Sequence, residues 1–173
     1  MELIKSISVI VIFFTALLGC GKNVSYIENK IIDQNVLGQS LQGVYTDTDG
    51  NIIDLDQLGD KVTVLIFAQD TCQVCSEEAT ELSAYAKING DPKAFELRHL
   101  LVASVIDDAI DWKLSHQITW SVGTTNVDLF KMYCPLQQVP CLVVFKPNMG
   151  STFQHTGKLS IEQIKKETGG WEN

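Results

Sequence analysis

Cys72-Gln73-Val74-Cys75 sets two thiols three residues apart, just after the apolar run Val62-Thr63-Val64-Leu65-Ile66-Phe67-Ala68. A strand that hands two cysteines to the first turn of a helix brings one sulfur against unpaired backbone N–H groups. Those groups and the partial positive charge of the helix end favour S⁻ over SH at Cys72. Cys75 follows one turn later, close enough to bond the first sulfur, so the pair can switch between dithiol and disulfide. Zinc is the competing chemistry. It needs two more ligands at short spacing, whereas Cys134, Cys141, His99, His116 and His155 are spread along the chain.

Cys134 and Cys141 bracket Val139-Pro140. They can close a disulfide that staples this loop, remain free thiols, or form a second redox pair; Cys141, opening an apolar strand, also suits a buried inert thiol. With Cys72 and Cys75 they make four cysteines, which allow three connectivities, and proximity favours Cys72–Cys75.

The elements that must position these residues follow from periodicity. Val44-Tyr45-Thr46 and Asn51-Ile52-Ile53 flank Asp47-Thr48-Asp49-Gly50, a hairpin signal. Asp54–Leu58 reads as a short helical turn and Val62–Ala68 as a buried strand. A helix is expected from Gln73 to Ile88, stopped by Asn89-Gly90-Asp91-Pro92. Leu100–Ile106 is the next β-rich run, Asp107-Asp108 can cap a helix over Ala109–Gln117, and Thr125 or Asn126 another over Val127–Tyr133. Strands Cys141–Phe145 and Ser151–His155 flank a turn, and Ser160 introduces a last helix, Ile161–Thr168. This order predicts an α/β fold, a mixed central sheet with helices on both faces and an added N-terminal hairpin.

The 173 residues, 45% apolar, suit one cored domain. Residues 1–19 read as an export signal: Lys5, then the apolar run Ile7–Leu18, too short for a bilayer span of roughly 20 residues. The run ends in Leu17-Leu18-Gly19-Cys20, which resembles the lipobox of bacterial lipoproteins; that resemblance implies cleavage before Cys20 and a lipid on it. Residues 20–40 then form a tether and 41–173 the domain. A plain secretory signal or an uncleaved anchor is the alternative, and either still exports the domain. Net charge is −8, and removing residues 1–19 leaves it unchanged. Such acidity argues against nucleic acid and anionic lipid as partners, so lipid rather than charge would hold the chain to a membrane.

Taken together, the hairpin with Gly59-Asp60-Lys61, the Cys72–Cys75 pair with Glu78 after it, and Val139-Pro140 before a strand resemble the thioredoxin superfamily. The resemblance, over about residues 40–168, is to membrane-tethered thiol-disulfide oxidoreductases of bacterial envelopes, including those serving cytochrome c maturation. It implies a three-layer sandwich, Cys72 and Cys75 as the redox-active disulfide and Glu78 as an acid/base group. It also implies a cis Pro140 packed against the disulfide, and a Val139 backbone that binds the partner strand. The implied partners are disulfide-containing envelope proteins and a transmembrane electron donor, with no cofactor and no metal. Departures are Thr71 where a tryptophan is usual, no proline after Cys72, Ile66 in place of a buried acid, and the added Cys134 and Cys141. A Sco-like copper carrier using His155, a thiol peroxidase of the redoxin kind and a non-catalytic binding lipoprotein are the competing readings. The Sco-like family has three residues between its cysteines, against two here.

Overall fold

The computed structural model describes residues 37–58 and 60–171. The expected signal segment 1–19, the expected lipidation site Cys20, the expected tether up to residue 36, Gly59, Glu172 and Asn173 lie outside the described residues.

Seven strands form one mixed sheet: β1 Val44–Asp47, β2 Ile52–Asp54, β3 Val62–Ala68, β4 Phe95–Val102, β5 Ser121–Thr125, β6 Cys141–Lys146 and β7 Gly150–Thr156. Their order is β2-β1-β5-β4-β3-β6-β7. Four helices accompany them: α1 Gln73–Asn89, α2 Ile106–Ser115, α3 Val127–Tyr133 and α4 Ile161–Thr168. β3 lies at the centre, parallel to β4 and antiparallel to β6, and is buried along almost its whole length, as a strand covered on both faces must be. Alternation along β3 feeds two cores. Val64, Ile66 and Ala68 pack with Ala79 and Leu82 of α1, Trp112 of α2 and Ile164 of α4. Leu65 and Phe67 pack with Leu55 and with Leu129, Phe130 and Tyr133 of α3. The expected three layers are therefore present, and the N-terminal hairpin is built on Asp47, whose carboxylate accepts from the Asp49 and Asn51 backbones.

Two expectations need correcting. The strand expected over Leu100–Ile106 begins five residues earlier, at Phe95, because seven residues of β3 pair in register from Val62↔Phe95 to Ala68↔Leu101. Glu96 and Arg98 obscure that strand in the sequence. In the fold Arg98 bridges to Glu96 at 2.6 Å and donates to the Tyr45 hydroxyl at 2.6 Å. Helix α2 likewise starts at Ile106, three residues early, with Asp108 inside its first turn accepting from the Val105 N–H at 3.1 Å.

β5 has no counterpart among the expected strands. Ser-Val-Gly-Thr-Thr carries little strand signal alone and is held as a strand by β4 on one side and β1 on the other. Gly123 makes that fit possible: a Cβ there would stand 2.2 Å from the Thr46 carbonyl and 2.6 Å from the Tyr45 ring. Gly123→Ala therefore forces β1 away from β5. We expect it to cost about 2 kcal/mol, seen as a lowered thermal midpoint of unfolding; an unchanged midpoint would show that β1 does not need this close approach.

Candidate active site

The C-terminal ends of β3, β4 and β5 and the start of β6 meet at one pole of the sheet, and Cys72 and Cys75 lie there. Gln69–Cys72 turns the chain out of β3, with the Cys72 N–H on the Gln69 carbonyl at 3.1 Å. Cys72 is the N-cap of α1 in extended backbone conformation, and its sulfur receives the Cys75 N–H at 3.2 Å. The two sulfurs are bonded, with Cα atoms 5.2 Å apart. Cys72 is half-buried and Cys75 only 1% exposed. A partner can therefore reach Cys72 Sγ but not Cys75 Sγ, and the helix-end N–H that meets the outer sulfur supports its anion once the bond opens.

Val139 and Pro140 face this pair. Their peptide bond is cis, and the Val139 carbonyl oxygen lies 4.0 Å from Cys72 Sγ. The Gly157 N–H holds the Pro140 carbonyl at 2.7 Å. Pro140 is buried, whereas Leu136, Gln137 and Gln138 of the same loop are exposed. At the loop's base Cys134 and Cys141 are also bonded to each other, both fully buried.

Glu78, one turn after Cys75, is only 1% exposed and is the one buried carboxylate among the described residues. Its Oε1 accepts the Leu159 N–H at 2.9 Å, and its Oε2 is buried without a partner. Burial pushes its carboxyl up to about 7, against the opposing pull of the Leu159 N–H and the nearby Lys158 charge. A carboxyl titrating near neutrality can both give and take a proton under ordinary conditions.

Other residues near this pole were not legible in the sequence. His116 Nε2 lies 2.7 Å from Ser76 Oγ, and its Nδ1 lies 2.9 Å from the Trp112 carbonyl, tying the end of α2 to the first turn of α1. The Leu159 N–H that partners Glu78 is 81 residues away from it in sequence. His155 lies in edge strand β7, half-buried, paired in register with Leu142 and stacked on Phe153. Among the described residues no three of His, Cys, Asp and Glu gather as a metal site, and no helix is long and apolar enough to cross a membrane.

No family model and no curated protein matches the chain. Solved structures do. One is a secreted disulfide oxidoreductase of Mycobacterium tuberculosis, described as homologous to E. coli DsbE: TM-score 0.61, 20% identity, 75% of this chain and 96% of that one. A second is the thioredoxin domain of a thiol-disulfide oxidoreductase from Bacteroides vulgatus, with TM-score 0.63, 16% identity and coverage of 76% and 97%. A third is a thiol:disulfide interchange protein of the thioredoxin family from Chlorobium tepidum, with TM-score 0.63, 15% identity and coverage of 78% and 97%. The fold is thioredoxin-like.

Within this thioredoxin-like frame Ile66 is fully buried beneath the cysteine pair, packed in the same core as Cys75 and Ala79. A second buried titratable group, His99, accepts the Trp120 indole N–H on Nδ1 at 2.9 Å. Full burial pushes its pKa down to about 3, so it stays neutral in the fold. The unfolded chain then binds the extra proton first, and stability is lost as pH falls below 6.5. Relative to His99→Gln, which keeps an acceptor for Trp120, the native chain is expected to lose up to about 1.4 kcal/mol per pH unit between pH 6.5 and 3. Denaturant unfolding of both proteins across that range measures the difference; parallel profiles would refute it.

Proposed function

We propose that this chain is an exported, lipid-anchored thiol-disulfide oxidoreductase that reduces disulfides in cell-envelope proteins. One observation carries the reading: a bonded Cys72–Cys75 pair at the start of α1, its outer sulfur open to a partner and 4.0 Å from the Val139 carbonyl. In the reduced protein the Cys72 thiolate attacks one sulfur of a partner disulfide. The partner's S–S bond breaks, its leaving sulfur takes up a proton, and Cys72 is joined to the partner. Glu78 accepts the Cys75 proton, and the Cys75 thiolate attacks Cys72 Sγ. The partner's second sulfur leaves with the proton held by Glu78, so the partner departs with two thiols, and the two electrons it gained come from the Cys72/Cys75 dithiol, which is left as a disulfide. The Val139 carbonyl offers the partner's main chain an acceptor beside the reacting sulfur.

An oxidising compartment stops this cycle after one turnover unless a dithiol donor restores the pair, so a transmembrane electron donor belongs to the reading. Export is supported by the Ile7–Leu18 run and by the secreted Mycobacterium protein of similar fold. Anchoring rests on Leu17-Leu18-Gly19-Cys20. Gly38 and Gln39, at the start of the described chain, hydrogen-bond to Ser151 at the start of β7, at the pole opposite Cys72. Reduction of a polypeptide disulfide such as insulin by the reduced chain tests the function, with Cys72→Ser as the control. No reduction by the native chain would sink it.

A further inference from the structure

We propose that the Cys134–Cys141 disulfide is a positioning bond: it holds the Val139 carbonyl in place for the incoming partner strand and stays oxidised while Cys72–Cys75 turns over. The inference rests on the redox reading above and adds to it a division of labour between two disulfides.

The bond's placement supports the first half. Cys134 is the residue that ends α3, its N–H on the Phe130 carbonyl at 2.8 Å. Cys141 opens β6 and pairs across the sheet with Phe67 of β3. The bond draws their Cα atoms to 6.4 Å and so closes the base of the loop 135–140. That loop carries Val139 and Pro140 to the reactive sulfur, while its middle, Leu136–Gln138, is exposed. Gln137 to Cys134 and Gly157 to Pro140 are its backbone ties. Without the S–S bond, the segment that meets the partner would have to be ordered at each binding event, a cost that appears as weaker affinity. The sulfur chemistry would be spared, because Cys72 is held by the end of α1, a separate element.

Burial supports the second half. Thiol–disulfide exchange needs a thiolate to approach a sulfur, and its rate follows access. Both sulfurs of Cys134–Cys141 belong to fully buried residues in the core with Phe67, Tyr133 and Phe145, and the Gln154 amide donates to Cys141 Sγ at 3.6 Å. Cys72 is half-buried at the surface. A reductant small enough to open Cys72–Cys75 meets that pair first.

The test has two arms. Native oxidised protein is treated with limiting dithiothreitol, each molecule of which passes two electrons to one disulfide and leaves as its cyclic disulfide; new thiols are then alkylated and mapped by mass spectrometry. Labels on Cys72 and Cys75 with Cys134 and Cys141 unlabelled are expected, and equal labelling of all four overturns the proposal. In the second arm, reduced native chain and the double variant Cys134→Ala/Cys141→Ala act on a synthetic peptide with one intramolecular disulfide. KM is expected to rise about tenfold with kcat little changed. A KM within about twofold of native, with only the unfolding midpoint lowered, overturns it by making the bond a brace alone. Native protein that reduces no peptide at all would instead sink the redox reading, a result distinct from either. Should the double variant fail to fold, the labelling arm still decides.

Discussion

Replacing Cys72 with serine lowers the rate of polypeptide disulfide reduction by about 10³-fold or more, to the level of the assay without protein. The size follows from the geometry. A hydroxyl at the same N-cap accepts the Cys75 N–H as well as sulfur does, so α1 and the fold persist. What disappears is the atom that attacks, and Cys75 cannot replace it because that residue is 1% exposed. Cys75→Ser has a different signature. Its Cys72 still attacks, but nothing displaces the captured partner, so a covalent Cys72–partner complex accumulates and disappears on adding dithiothreitol. Gel mobility with and without reductant reads this directly. If Cys72→Ser kept its activity, or Cys75→Ser trapped nothing, the assignment of attacking and resolving sulfurs would fall.

The second large effect concerns Glu78. Glu78→Gln keeps an acceptor for the Leu159 N–H but can neither take nor give a proton. Its turnover near pH 7 is expected to drop about 10²-fold, at the resolving step, and its remaining activity to lose the native inflection near pH 7. Stability moves the other way. The Glu78 carboxyl titrates near 7 in the fold and ordinarily at 4.5, so the folded chain holds its proton more tightly. Its contribution is fully present below pH 4.5 and is lost as pH rises through 7. Glu78→Gln lacks that loss. At pH 8 it is expected to be more stable than the native chain by about 3 kcal/mol as an upper figure, and at pH 4.5 nearly equal. His99 tilts stability in the opposite direction between pH 4.5 and 6.5, so the variant-minus-native difference is the quantity that isolates either group. A variant equally active, with a profile parallel to native, would remove Glu78 from the mechanism.

A variant both slower and more stable is what a functional buried acid implies. Burial raises the carboxyl's affinity for a proton, and the unpartnered Oε2 shows that the site does not satisfy the charged form fully.

Much of this site was legible because its determinants are local. The strand Val62–Ala68, the Cys72 turn and the helix that follows lie within one continuous stretch, and each is set by residues a few positions apart. The same holds for the Asp47 hairpin, the Asn126 cap of α3 and the Ser160 cap of α4, whose side chains bond backbone groups within four residues. Expectation failed where a partner strand decides. Phe95–Leu101 takes its bounds from β3, not from its own pattern, and Ser121–Thr125 is a strand because β4 and β1 hold it and Gly123 lets them close in.

The cysteine spacing and its strand-to-helix setting were thus enough to place two bondable sulfurs at the start of a helix, since one turn of helix and its unpaired N–H groups are short-range facts; the thioredoxin-like frame came from the resemblance, which also needed the hairpin, Glu78 and Val139-Pro140. Tertiary structure alone decided that Cys134 bonds Cys141, that Glu78 is sealed from water beneath Leu159, and that the Val139 carbonyl meets Cys72. Each of these depends on sheet order, which brings distant segments to one pole. No pattern within a short window records which strand lies beside which.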